Sequence, residues 1–181
     1  MSDFAKAIGA SFNRAIEFDN QIASDKQKYS NWILGLATAG FAVALTQADK
    51  ILAHSWASPA VGNIALKSAS ATFILSALVG AAVVRCVDRQ VNFNRQSMTL
   101  ILRQELLLLF GSPPWSHGDE APESVVRKLT SGEYLDVDNR KTYEETRVKS
   151  KAAGTWAERL LVVQQVLVAL GYAAIFGVAI G

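Results

Sequence analysis

SASATFILSALVGAAVV, from Ser68 to Val84, decides the architecture, because it carries no ionisable side chain and ends on Arg85. A bilayer core of about 30 Å needs on the order of 20 apolar helical residues, and this run approaches that length. Upstream, Ser58-Pro59 offers an N-cap followed by a proline at the first helical position, so the helix can begin well before the run itself. Two similar runs lie on either side. NWILGLATAGFAVALTQ, from Asn31 to Gln47, makes about 23 residues with its weaker tail to Ala53. LLVVQQVLVALGYAAIFGVAIG runs from Leu160 to Gly181. Three transmembrane helices are therefore expected, at 31–53, 68–84 and 160–181.

The composition agrees. Of 181 residues 50% are hydrophobic and 19% charged, and the charges are segregated from the apolar runs. Disordered, collagen-like and disulfide-stapled classes each need a bias that is absent here. The one cysteine, Cys86, has no partner and reads as a small apolar filler beside Arg85. No cleavable leader is expected, since the first apolar run starts only at residue 31 and is long enough to stay in the bilayer.

Lys and Arg set the orientation. Residues 1–30 hold four, 46–68 hold two, 85–159 hold twelve, and none follows 159. The rich segment belongs on the cytoplasmic side. This places the N-terminus inside, the loop between the first two spans outside, 85–159 inside and the C-terminus outside, with Trp32 and Trp156 at the inner interface. The organisation reads as an N-terminal amphipathic helix (1–30), a transmembrane hairpin (31–84), a cytoplasmic helical region (85–159) and a third span (160–181).

The segments outside the spans are helical in pattern. Phe4, Ile8, Phe12 and Ile16 recur every four residues, predicting a helix over 3–26 that lies on the membrane surface or packs against other cytoplasmic helices. Val87, Val91, Asn94, Met98, Ile101, Leu102, Leu106 and Leu109 continue one face beyond the second span, so a helix from Pro59 to Phe110 would be about 75 Å long. Gly111-Ser112-Pro113-Pro114 ends it. A short helix starts at Pro122 and stops before Gly132, and another starts at Asp136 or Asp138, with Tyr143, Val148, Ala152 and Trp156 as its apolar face. The lobe between the long helices, about 30 residues, is too small for an independent enzyme core.

No nucleophile elbow, zinc-protease, dithiol, P-loop or dinucleotide motif occurs, so an enzyme is not expected, and neither a cofactor nor a metal site is indicated. His54 and His117 fall on opposite sides of the membrane in this topology, and His117 with Asp119 and Glu120 reads as a solvated turn. The uncharged spans argue against proton relays and voltage sensors. Neutral polar groups remain. Ser68, Thr72, Ser76 and Gly80 recur at every fourth position of the second span, and Gln164 and Gln165 open the third. Such a stripe can line water or permit close helix packing. In a homo-oligomer it would line a narrow pore, with Leu75 or Val79 as a gate. A membrane-anchored adaptor that recruits a cytoplasmic protein is the alternative.

Basic residues gather in the cytoplasmic region. Arg140, Lys141, Arg147, Lys149 and Lys151 are interrupted by Glu144 and Glu145, with Arg127 and Lys128 nearby. They can hold the phosphates of a nucleotide or single-stranded oligonucleotide, with Tyr134 or Tyr143 to stack on a base, or they can fix topology and touch anionic lipid.

The layout of NWILGLATAGFAVAL, FILSALVGAAVV and RCVDRQVNFNRQ, a hairpin of two spans followed by a long helix, resembles the SLATT-type membrane effectors of bacterial anti-phage defence. Small DNA-gated channel effectors of the Hailong type are an equal alternative. The resemblance implies a bacterial inner-membrane location and a pore opened by a cytoplasmic signal, often a nucleotide. The third span departs from it.

Overall fold

The computed structural model describes residues 3–53, 59–111 and 122–180, and among these every regular element is a helix. They are α1 (Asp3–Thr46), α2 (Ala48–Ala53), α3 (Pro59–Gly111), α4 (Pro122–Ser131) and α5 (Val137–Ile180). The predicted amphipathic helix and first span are thus one continuous helix, and that span stops at Thr46, short of Ala53. A turn at Gln47 separates it from α2, where Asp49 and Lys50 lie. Pro59 starts α3 as expected. The reading of His54, and that of His117 with Asp119 and Glu120, fall outside the described residues.

Two of these helices are long and apolar enough to cross a membrane: α3 over Pro59–Arg103 and α5 over Val137–Gly177. Only 28% of the most apolar stretch of each is buried within the protein. A core helix of a soluble protein buries most of such a stretch, so lipid is the medium that fits these surfaces. In α1 the apolar segment from Ile33 to Leu45 is shorter, about 20 Å at helical rise.

The chain divides into two compact units, Met1–Ser24 with Asp88–Gly154, and Asp25–Val87 with Thr155–Gly181. The second unit is a three-helix bundle with a seam of small residues. Its buried positions are Ser30, Ile33, Ala37, Gly40 and Ala44 on α1, Ala69, Phe73, Ser76, Gly80, Val83 and Val87 on α3, and Ala157, Leu161, Gln164, Val168, Gly171 and Ile175 on α5. All three series alternate steps of three and four, the 3.5-residue repeat of left-handed bundle packing. Ion pairs and hydrogen bonds set the directions. Lys26 pairs with Glu158 at 2.8 Å, Ser30 meets Gln164, and the Tyr172 hydroxyl donates to the Leu36 carbonyl at 2.9 Å, so α1 and α5 run parallel here. Gly80 lies level with Ser30, and Phe73 lies level with Gly40 and Gly171, so α3 runs the other way.

The first unit has its own core. Ile101, Leu135 and Tyr143 are buried together, with Ile16, Met98, Leu100 and Tyr134 packed against them. Ile16 therefore packs on protein; the side chains of Phe4, Ile8 and Phe12 lie outside the described residues. On α5 the buried face is Tyr143, Thr146 and Ser150, whereas Val148, Ala152 and Trp156 are exposed, which corrects the predicted apolar face of that helix. Thr146 and Ser150 can sit inside because their hydroxyls are satisfied, Thr146 by the Thr142 carbonyl at 2.8 Å and Ser150 by the Asn94 side chain at 2.5 Å.

Candidate functional site

The polar layer of the bundle forms around one amide. Gln164 is fully buried; its Oε1 accepts from the Ser30 hydroxyl at 3.0 Å and its Nε2 donates to the Ser30 carbonyl at 3.3 Å. The Ser76 hydroxyl donates to the Gln164 backbone carbonyl at 3.4 Å. Gly80 supplies the space, since a Cβ there would lie 2.5 Å from Gln164 Nε2. One layer along, the Phe73 ring is clamped between Gly40 and Gly171, with Tyr172 edge-on at 5.3 Å.

Of the residues expected to line a pore, Ser76, Gly80 and Gln164 are thus taken up by contacts within one chain. Thr72 is half-buried and donates back to the Ala69 carbonyl at 2.8 Å, and Val79 is half-buried. Ser68, Leu75 and Gln165 face outward, and the Gln165 amide donates to the Tyr29 hydroxyl at 2.5 Å. Both glutamines therefore find partners in the monomer, and neither requires a second copy. The outward polar face of this unit lies elsewhere. Asn31, Gly35, Thr38, Ala42 and Thr46 are all exposed on the side of α1 opposite its buried seam, and nothing lies within 4 Å of a Cβ built at Gly35.

At the charged end of the same unit, Trp32 and Trp156 are 61% and 56% exposed. Trp32 stacks on Tyr29, with ring centroids 6.0 Å apart, and the Arg159 guanidinium lies 5.6 Å from the Trp156 ring. Exposed aromatic rings beside cations suit the headgroup depth of a bilayer.

The basic residues of the first unit have varied roles. Asp136 caps α5, accepting from the Asn139 amide at 2.8 Å, and Gly132, at φ +74°, closes α4 with the Glu133 amide on the Lys128 carbonyl at 3.1 Å. Tyr143 is 5% exposed; its hydroxyl donates to the Thr130 carbonyl and its ring packs under Gly132. It completes the end of α4 and has no free face for a base. Arg147 reaches the same carbonyl at 3.5 Å and lies over the Tyr143 ring. Arg140 pairs with Glu144 at 3.2 Å and Lys149 with Glu145 at 3.7 Å, one helical turn apart and solvated. Arg127, Lys141 and Lys151 are exposed, Lys128 and Tyr134 half-buried. Exposed pairs of this kind contribute about 0.3–0.5 kcal/mol each, so the cluster's charge stays available to a ligand.

Sequence reasoning passed over one polar face of α3 beyond its apolar run. Asn92, Arg95, Gln96 and Thr99 fall at i, i+3, i+4 and i+7, and with Leu100, Thr142 and Thr146 they line a cleft of about 540 Å³. A smaller cleft of about 260 Å³ shares Arg95 and Thr99 and is completed by Ile16, Asp19, Asn20, Asn94, Met98 and Leu102. The spacing of the four α3 residues was the available signal. No protein-family model, curated protein or solved structure matches the chain.

Proposed function

We propose that the chain is a multi-pass inner-membrane protein of bacterial defence, non-enzymatic, in which α1 joins α3 and α5 as a third span. In this reading copies assemble into a homo-oligomeric pore gated from the cytoplasm. The N-terminus lies inside and the C-terminus outside. Support for the third span comes from its contacts: Leu36 and Gly40 of α1 meet Tyr172 and Phe73, which lie within the apolar parts of α5 and α3. Support for the pore comes from the exposed face of α1. Asn31, Gly35, Thr38, Ala42 and Thr46 are neutral, small or polar residues that would face lipid in a lone copy, and copies that turned these faces to a shared axis would enclose an uncharged polar path. This face carries the proposal in place of Ser76, Gly80 and Gln164.

The gating signal would act on the first unit. Arg127, Lys141, Lys149 and Lys151 present exposed charge to a nucleotide or single-stranded oligonucleotide. Because α3 and α5 each contribute residues to both units, a ligand held there acts on the helices that cross the membrane. Coupling of about 1–3 kcal/mol would shift opening by about 5- to 150-fold. The test is ion flux from proteoliposomes containing the purified chain. Gly35→Trp should abolish flux while insertion persists, since nothing within the chain occupies that space. Flux unaffected by Gly35→Trp and Thr38→Trp would remove this face from the mechanism, and no flux from the wild type with nucleotide and oligonucleotide supplied would overturn the pore.

One observation favours the adaptor reading. Phe18 and Ile22, one turn apart on α1 of the first unit, are exposed, Phe18 at 66%. If they recruit a cytoplasmic protein, Phe18→Ser would abolish pull-down of that protein and leave flux unchanged.

A further inference from the structure

We infer that the cleft between α3 and α5 in the first unit is a binding site for a small phosphomonoester with a hydroxylated ring. Its composition specifies the ligand. Arg95 lines the cleft, is exposed and has no carboxylate partner among the described residues, so its fork of donors can meet an oxyanion there. Asn92 and Gln96 lie three residues before and one after it, on the same side of α3, and both amides are exposed and engaged by no other described side chain. Each offers a donor pair and an acceptor, the complement of a sugar hydroxyl or a heterocycle edge. Across the cleft, Thr142 and Thr146 donate to their own helix, Thr142 to the Asp138 carbonyl at 3.1 Å and Thr146 to the Thr142 carbonyl at 2.8 Å. Their hydroxyl protons are thus committed to the helix, and what the oxygens can offer a ligand is acceptor capacity, suited to ligand hydroxyls. Leu100 is the one wholly apolar side chain in the lining, beside the methyl groups of Thr99, Thr142 and Thr146, and gives a ring a surface to rest on.

Size separates the two clefts. Small-molecule sites occupy about 300–1,000 Å³, a window that includes the 540 Å³ cleft and excludes the 260 Å³ one. Arg95 lines both clefts and Asp19 only the smaller one, so the larger has no carboxylate of its own. The site stands on the first unit and does not require that the bundle conduct.

Isothermal titration of the full-length chain in an uncharged detergent tests the inference, with ribose 5-phosphate, AMP, adenosine and inorganic phosphate as probes. A phosphorylated probe should bind and adenosine should bind about tenfold more weakly or worse, because a hydrogen bond to a charged group is worth about 1.5–3 kcal/mol. AMP and ribose 5-phosphate with equal affinity identify a sugar phosphate; tighter AMP identifies a nucleotide. Arg95→Gln should weaken the phosphorylated probe about tenfold or more with an unchanged far-ultraviolet spectrum, and Thr146→Leu should block the cleft from the other wall. Lys67→Gln, exposed on α3 in the second unit, should bind as the wild type does. Wild-type affinity in Arg95→Gln, or no binding of any phosphorylated probe at millimolar concentration, overturns the site. A bound probe without ion flux would instead leave the site standing and count against the pore.

Discussion

Replacing Gly40 by alanine tests the bundle at its tightest point. All the nearest atoms to a Cβ built there belong to the Phe73 ring, with Cε1 at 2.8 Å and Cε2 at 3.0 Å, well inside van der Waals contact. The ring cannot retreat, because Gly171 on α5 flanks it as closely, with Cε1 2.6 Å from a Cβ built at that position. Overpacking of this kind costs about 1–3 kcal/mol. Phe73→Leu removes the ring atoms that collide and should cost about 1.5 kcal/mol or less alone, since in a bilayer the unfolded helices still face hydrocarbon and only packing is lost. The double variant should then be more stable than the sum of the two single effects by about 1–2 kcal/mol, within the range for residues in contact. Equilibrium unfolding by a denaturing detergent titrated into mild micelles reads all three values. Gly35→Ala is the control: with nothing within 4 Å, it should be neutral or stabilise by up to about 1 kcal/mol through helix propensity. Additivity within about 0.5 kcal/mol, or Gly40→Ala as benign as Gly35→Ala, would refute the packing argument.

Two further expectations concern topology and the first unit. A reporter that fluoresces only in the cytoplasm should be dark when fused after Gly181 and bright when inserted near His117; the reverse pattern would invert the orientation. Tyr143→Phe removes the hydroxyl that donates to the Thr130 carbonyl, so hydrogen exchange in α4 should speed up in proportion to a loss of about 0.5–1.5 kcal/mol, and unchanged exchange would show that the hydroxyl is not what holds that helix end.

The helix boundaries were legible because they are written locally. Pro59 as a first-turn residue, Gly132 past the end of α4 and Asp136 before α5 each act on neighbouring backbone groups, and all three do so in the structure. The stripe on α3 was less so. Steps of four advance a helix by about 400°, so each successive member rotates by about 40°, and Gly80 ends about 120° from Ser68. One end of that series is exposed and the other buried. Gln164 and Gln165 differ by about 100° for the same reason, and only one can enter the seam. Tyr143 fits both the apolar face of α5 and a stacking role in sequence, where nothing links it to Thr130; that contact depends on how the turn after α4 folds back. The spacing on α3 marks one wall of the cleft around Arg95, but the other wall, Thr142 and Thr146 of α5, lies more than forty positions along the chain.

The Gln164 layer limits how the bundle can move. Displacing α5 by one turn along its neighbours would carry the amide about 5.4 Å away from Ser30 and bring an apolar residue, Leu161 or Val168, against the Ser30 hydroxyl. Both polar groups would then be stranded in hydrocarbon, and Gly80 would face a branched side chain. Axial sliding is therefore closed to this bundle. The motion left to it is tilting of helices about that layer, with Ser30, Gln164 and Gly80 as the fulcrum.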